Sequence, residues 1–287
     1  MAKALLAMGD TARLVESLFT STDPRELFFS YGDTIPDLSA YETSYWMGGR
    51  YAAKLRHIGL ATSLCSPGAK WLPSLDRTIA GREVTEGTLG DLSNTVGKLW
   101  VKPSEAKIPT IPAGLYSYEE LKDLFTAGGF SSNISLQWTH EVLNINYEHR
   151  FFVAEGQVIT GSPYLVDGKG YRTDIDTSRM SAAQAFAEHV LASDAKNMPP
   201  AFTLDVGLNV ATNKWFVIEA NRAWSSGLYG CDPTAASDVI EYACSSAIES
   251  RWQWKPDTHL TKLVDDLQAL EIVNPNEESI GFFRYSQ

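Results

Sequence analysis

The stretch TLDVGLNVATNKWFVIEAN, residues 203–221, decides how this chain is read. Two β-rich runs, FTLDVGLNV and WFVIEAN, flank Ala211-Thr212-Asn213-Lys214 and predict an antiparallel hairpin. Its turn centre lies near residue 212, so reflection sets Asp205 nearly opposite Glu219. Glu219 and Asn221 are two residues apart and share a face. Two carboxylates directly opposite one another repel, and something must offset them. A hard divalent cation does so, because Mg²⁺ takes oxygen ligands, typically one or two carboxylates with phosphate and water. The plainer alternative is a solvated hairpin with acids on its wet face. The apolar flanks TLDVG and FVIEAN favour the metal reading, with Asp205, Glu219 and Asn221 as ligands.

Upstream, LWVKP (99–103) alternates as a strand, with Leu99 and Val101 on one face and Trp100 and Lys102 on the other. Pro103 ends it, and Lys102 at its end can present a point charge to a phosphate. Lys107 follows across a short loop with Ser104; surface lysines would explain the same pattern. Ser117-x-x-Glu120 is a capping box for a helix over 118–127 that Gly128-Gly129 closes, and a strand follows around Ile134–Trp138. RFFVAEGQVITGS (150–162) predicts a second hairpin turning at Glu155-Gly156. On its entry strand Glu148 and Arg150 share a face, where the acid can accept from ribose hydroxyls and the arginine can clamp a phosphate or carboxylate. A same-face salt bridge is the competing explanation, and His149 reads as a packing or surface residue.

Other elements are coarser. Residues 41–58 read as a helix ending at Gly59, LATSLC (60–65) as a short strand, and 66–97 as a connector rich in Gly, Pro, Ser and Thr. Ser181-x-x-Gln184 caps a helix to about 193, and Asp232-Pro233 starts one that runs to about Ser250. Pro256-Asp257 opens a last amphipathic helix with Leu260, Leu263, Val264, Leu267 and Leu270 in helical spacing, and the final 15 or so residues look loosely held. Hairpins and helices mix without a βαβ rhythm in the second half, which predicts α+β.

The chain has 287 residues and a net charge of −11, from 24 Lys and Arg against 35 Asp and Glu. That balance opposes broad binding to nucleic acid or to an anionic membrane surface, yet leaves room for a small phosphate site with a few local cations. Three cysteines, Cys65, Cys231 and Cys244, are odd in number and form no CxxC, so neither a disulfide framework nor a zinc site is expected. The opening MAKALLAMGD is too short and broken for a signal peptide, and a reducing cytoplasm is the expected location. No GxGxxG, GxxxxGK[ST] or GxSxG is present, which removes the usual dinucleotide, phosphate-loop and serine-hydrolase signatures.

The order of these pieces, a strand lysine in LWVKP, an acid in NYEHRFFVAEGQVITGS and then Asp…Glu-x-Asn, resembles the ATP-grasp superfamily, and within it the clade named for one arginine and two lysines. The resemblance covers about residues 98–245, with a looser echo in KWLPSLDRTIAGREV (70–84). It implies an ATP-grasp fold: two α+β subdomains gripping ATP, behind a small α/β N-terminal part. The implied division is an N-terminal pre-ATP-grasp-like domain over 1–85, a nucleotide-binding domain over 86–255 with subdomains about 86–138 and 139–255, and a C-terminal helix and tail over 256–287.

The same resemblance implies ATP and Mg²⁺ as cofactors, with the metal on Asp205, Glu219 and Asn221. Lys102 and Lys107 would meet phosphates, Gln137 and Trp138 adenine, and Glu148 the ribose. Arg150 would face the transferred phosphate or a substrate carboxylate, and Arg222 would hold a carboxylate unless its aromatic-rich loop serves only to pack the subdomains. An upstream lysine would be Lys70 or Lys98, and Arg82 is either a further cation or a loop salt bridge. Typical members are carboxylate–amine ligases that form an amide or peptide bond through an acyl-phosphate, with a small-molecule or peptide carboxylate and an amine as partners and homodimers common. The alternatives are an ATP-grasp kinase and a non-catalytic nucleotide-binding module. The glycine-rich phosphate loop of many members is missing; SEAKIPTIPAG stands there with a single glycine.

Overall fold

A computed structural model of the protein describes residues 1–19, 23–105, 107–170, 179–257, 260–261, 269–275 and 282–285. The chain begins with β1 (Ala2–Met8), α1 (Asp10–Val15), β2 (Glu26–Ser30), β3 (Thr34–Pro36), β4 (Tyr41–Trp46) and α2 (Gly49–His57). β1 lies parallel to both β2 and β4. Its residues Ala4–Met8 are buried in succession, because a central parallel strand is covered on both faces and shows no alternation. Residues 41–58 are therefore not one helix. Their first six residues form β4, with Trp46 fully buried, and the helix starts only after Gly48. Residues 60–65 form no strand beyond an isolated bridge from Cys65 to Gln253.

The stretch read as a connector contains α3 (Trp71–Ser74), α4 (Arg77–Ala80) and β5 (Thr85–Gly87). Their shortness explains why no period was visible. Next come β6 (Leu99–Pro103), β7 (Gly114–Tyr116), α5 (Tyr118–Ala127) and β8 (Leu136–Thr139), which with β5 form a sheet in the order β5-β8-β6-β7. Leu99 and Val101 are buried and Lys102 half-buried, as the alternation predicts. This sheet and α5 enclose a core of their own, built from Leu92, Leu99, Val101, Leu121, Phe125 and Leu136 among others.

β9 (Tyr147–Ala154), β10 (Gln157–Val166), β11 (Lys169–Gly170), α6 (Met180–Ser193), β12 (Ala201–Asn209), β13 (Lys214–Asn221) and α7 (Pro233–Ala243) complete the larger unit. Its sheet has the order β11-β10-β9-β12-β13, and its core is continuous with that of the N-terminal sheet. The β9–β10 turn carries positive φ at both Glu155 (48°) and Gly156 (74°), the geometry of a two-residue hairpin turn. Asp232 caps α7, accepting from the Ala235 amide at 2.7 Å, but the helix stops at Ala243 rather than Ser250. α6 begins at Met180 with no side-chain cap, so Ser181 is not its N-cap.

β14 (Glu271–Val273) pairs in parallel with β3, and β15 (Phe282–Tyr285) adds to β2. The tail thus joins two sheets of the N-terminal unit, against the expectation of a loose end. Of the expected last helix, residues 262–268 lie outside the described residues. Among the described residues no helix is long and apolar enough to cross a membrane.

The capping box of α5 is formed as expected. Ser117 Oγ accepts from the Glu120 amide, Glu120 accepts from the Ser117 amide at 2.7 Å, and Lys98 reaches Glu120 at 2.6 Å. The Lys98 hydrogen bond, with the help of Ser117, holds the Glu120 carboxyl down at about 2 against an ordinary 4.5. A carboxylate depressed in the folded state adds stability above its unfolded pKa and loses it as pH falls through the folded one. Glu120→Gln should therefore lower the urea midpoint at pH 7. The gap from wild type should close between about pH 4.5 and about pH 2, as read from unfolding curves across that window.

Candidate active site

β9, β12 and β13 lie side by side, and their register sets Arg150 opposite Asp205 and Asp205 opposite Glu219. A cation and two anions thus form one row across three strands. Arg150 grips Asp205 with two parallel bonds, Nε to Oδ1 at 2.8 Å and Nη2 to Oδ2 at 2.6 Å, while Nη1 donates to the Gly227 carbonyl at 3.2 Å. Both side chains are almost wholly out of solvent, at 4% and 0% exposure. Tyr164 and Tyr229 stack on each other at 4.8 Å, and the Arg150 guanidinium lies within 5.5 Å and 5.0 Å of their ring centres. Burial pushes the Asp205 carboxyl up, Arg150 opposes that rise, and the charge of Asp205 in turn raises Arg150.

Asn221 bridges the two acids, its Nδ2 donating to Glu219 Oε1 at 2.8 Å and Asp205 Oδ2 at 3.2 Å. From the other sheet Lys102 Nζ donates to Glu219 Oε2, joining β6 to β13. Burial works against the Glu219 carboxylate, but Lys102 and Asn221 overcome it and hold its pKa at about 2.

A bulge aligns this row. Asp205 faces Glu219 while Val206 faces Val217, so Ile218 is the extra residue. Arg82 reaches over from the loop after α4 and donates to the carbonyls of Ala80 (2.8 Å), Val217 (3.0 Å) and Ile218 (3.0 Å). These contacts fasten the bulge that presents Glu219. Burial lowers the Arg82 pKa to about 10. The preceding Gly81 has φ of 70° and lies so close to Phe216 that a Cβ would come within 2.4 Å of the ring. Arg82→Leu leaves three carbonyls without their donor and should cost about 2–3 kcal/mol in urea unfolding.

These groups open onto a cleft of about 780 Å³. Lys102, Ser104 and Lys107 line it from the β6 side, and Arg150, Glu219, Asn221 and Arg222 from the other. Among the described residues no three His, Cys, Asp or Glu side chains cluster as metal ligands; the oxygen donors are two carboxylates and one amide.

A family model for the ATP-grasp domain, family 2 of the clade named for one arginine and two lysines, matches residues 79–239. The chain belongs to this ATP-grasp family. No curated protein matches it. Among solved structures this ATP-grasp chain is similar to D-alanine–D-alanine ligase from Bacillus anthracis, with a TM-score of 0.49 and 11% identity over 85% of this chain and 97% of that one. It is similar to the RimK domain protein ATP-grasp from Sphaerobacter thermophilus, at 0.45 and 11% over 84% and 100%. A third is C-terminally truncated Cdc123 from Schizosaccharomyces pombe, at 0.38 and 13% over 59% and 85%.

Six residues expected at an ATP-grasp site from sequence meet at the cleft: Lys102, Lys107, Arg150, Glu219, Asn221 and Arg222. Asp205 stands directly behind them. Gln137, Trp138 and Glu148 do not line it. The Gln137 backbone is flanked by β5 and β6 and its side-chain amide donates to Ala69 O at 2.6 Å, which ties it into the sheet. Glu148 is half-buried and accepts from the Tyr164 hydroxyl. Lys98 is taken up by the surface pair with Glu120, and Lys70 is exposed outside the cleft. His149 packs edge-on to Trp215 with both ring nitrogens buried and unpartnered, and burial lowers its pKa to about 4. All three thiols are free and raised by burial, Cys231 to about 11, which suits packing rather than nucleophilic chemistry.

Sequence reading missed Glu105, which lines the cleft and accepts from Ser66 Oγ at 3.0 Å and 3.2 Å. The signal was present in KPSEAK: a carboxylate between two lysines expected to meet anions.

Proposed function

We propose that the chain is an ATP- and Mg²⁺-dependent carboxylate–amine ligase that forms an amide or peptide bond through an acyl-phosphate. The observation that carries this reading is the row Arg150–Asp205–Glu219, closed by Asn221 and met by Lys102 from the opposite side of one cleft. Two carboxylates and an amide within hydrogen-bonding reach of each other suit a hard divalent cation. Asn221 turns its nitrogen to both acids. Rotating the amide presents its oxygen instead, so Asp205, Glu219 and Asn221 would hold Mg²⁺. That ion would supply charge neutralisation for the phosphate oxygens.

The remaining steps fall to side chains. Lys102 exchanges its bond to Glu219 for a phosphate oxygen, and Lys107, exposed on the same loop, adds a second cation. Arg150 keeps its fork on Asp205 and uses its free N–H groups toward the transferred phosphoryl group. Arg222 lies further along the cleft and holds a carboxylate. The two lips would be about 86–138 and 139–255, the first with a core of its own and the second sharing its core with the N-terminal unit. The reducing, cytoplasmic setting read from the cysteines accompanies this function.

The test is ATP turnover in the presence of hydroxylamine. The ligase reading expects ADP and phosphate release that depends on a carboxylate, and a hydroxamate trapped from the acyl-phosphate. AMP as product, or a stable phosphorylated product with no need of an amine, would overturn it, the latter in favour of a kinase.

A further inference from the structure

Beyond the phosphate-facing end, the cleft carries a second pair of opposite charges. Glu105 and Arg222 both line it, and each charge acts on the other while Asp257 acts on both, yet no ion pair joins Glu105 to Arg222. Glu105 is held by Ser66, whose hydroxyl donates to its carboxylate. The Arg222 guanidinium rests against the faces of Trp224 and Trp254, 4.9 Å and 5.6 Å from the ring centres, and its Nη1 is buried without a hydrogen-bond partner. A buried guanidinium N–H left unsatisfied is costly, and its natural complement is an anion.

The backbone agrees. α2 starts beside it at Gly48-Gly49 with no side-chain cap, and a Cβ added to Gly49 would stand 4.0 Å from both Arg222 Nη atoms. Free helix N-terminal amides and a guanidinium therefore share one spot, a setting that favours a carboxylate. Glu105, a few residues from Lys102, offers the opposite charge in the same cleft, and it accepts but cannot donate when ionised.

We propose that Glu105 and Arg222 are the two poles of a subsite for a free amino acid, Arg222 and the α2 N-terminus taking its carboxylate and Glu105 its ammonium group. This rests on the ligase reading and makes its amine substrate a zwitterion rather than a simple amine. Burial raises the Glu105 carboxyl, and pairing with an ammonium group favours its charged form, so ligand and side chain reinforce each other.

The experiment is calorimetric binding to the full chain with the twenty common L-amino acids, glycine included, and D-alanine. The tightest is then compared with its decarboxylated amine and its deaminated acid. The zwitterion should bind about tenfold or more tightly than either analogue. Glu105→Gln, near-isosteric and still able to meet Ser66, should weaken the amino acid and the amine by about tenfold and leave the acid unchanged. Arg222→Met should weaken the amino acid and the acid and leave the amine unchanged. No binding by any amino acid, equal binding of an analogue, or indifference to Glu105→Gln overturns the subsite. Turnover separates the two readings. Amino-acid binding without ADP formation removes the ligase and keeps the subsite, whereas ADP formation driven equally well by amines lacking a carboxylate removes the subsite and keeps the ligase.

Discussion

Arg150→Met should destabilise the chain by about 3–5 kcal/mol, because it leaves the Asp205 carboxylate buried with no counter-charge. Asp205 is fully buried, and its two oxygens each accept from the same guanidinium. Asn221 supplies only one neutral bond at 3.2 Å, too little to replace an ion partner. The companion variant Arg150→Met/Asp205→Leu removes both charges and should recover most of that loss, since an apolar pair of similar volume avoids the desolvation penalty. Urea unfolding of wild type, single and double variants reads this directly. ATP turnover should stay absent in both. Recovery of stability without activity would separate the structural part of the pair from its chemical part. A single variant as stable as wild type would show that the fork is not what neutralises Asp205.

Lys102→Met should lower ATP turnover by about 10²–10³-fold, the cost of removing one preorganised donor aimed at developing negative charge. Its effect on stability should be smaller than that of Arg150→Met, because Lys102 and Glu219 keep 20% and 26% exposure and Asn221 still donates to Glu219. This differs from the Arg150 profile in stability, not in turnover, although both residues pair with acids in the same row. The contrast follows from burial: Arg150 keeps only 4% exposure where it meets the cleft beside two tyrosines, whereas Lys102 reaches across the open cleft from another sheet. Steady-state rates beside unfolding midpoints test it. A turnover loss below about threefold would remove Lys102 from the phosphate site.

Local chemistry carried much of this protein into view before any tertiary contact was known. Turn residues and alternation located both hairpins, and simple reflection through residue 212 paired Asp205 with Glu219 as observed. Capping rules located α5 and the start of α7. These features depend on neighbours within about a dozen residues, and sequence spacing encodes such neighbours. β4 was misread because its buried Ser44–Trp46 run leads straight into the apolar face of α2, and a periodic pattern does not mark where one period replaces another.

Sequence patterning alone was enough for an acidic α+β chain with hairpins, and for two carboxylates and an amide on one face of the second hairpin. Tertiary structure alone decided which cations answer them. Arg150 meets Asp205 because β9 and β12 pair across the intervening β10 and α6, Lys102 meets Glu219 across two sheets, and Arg82 places its charge on a bulge. The reason is physical: an ionic partner is chosen by proximity and burial in space, and a long arginine or lysine side chain carries no spacing signal of its own. The same holds for Glu105 and Arg222, separated along the chain yet brought to one cleft.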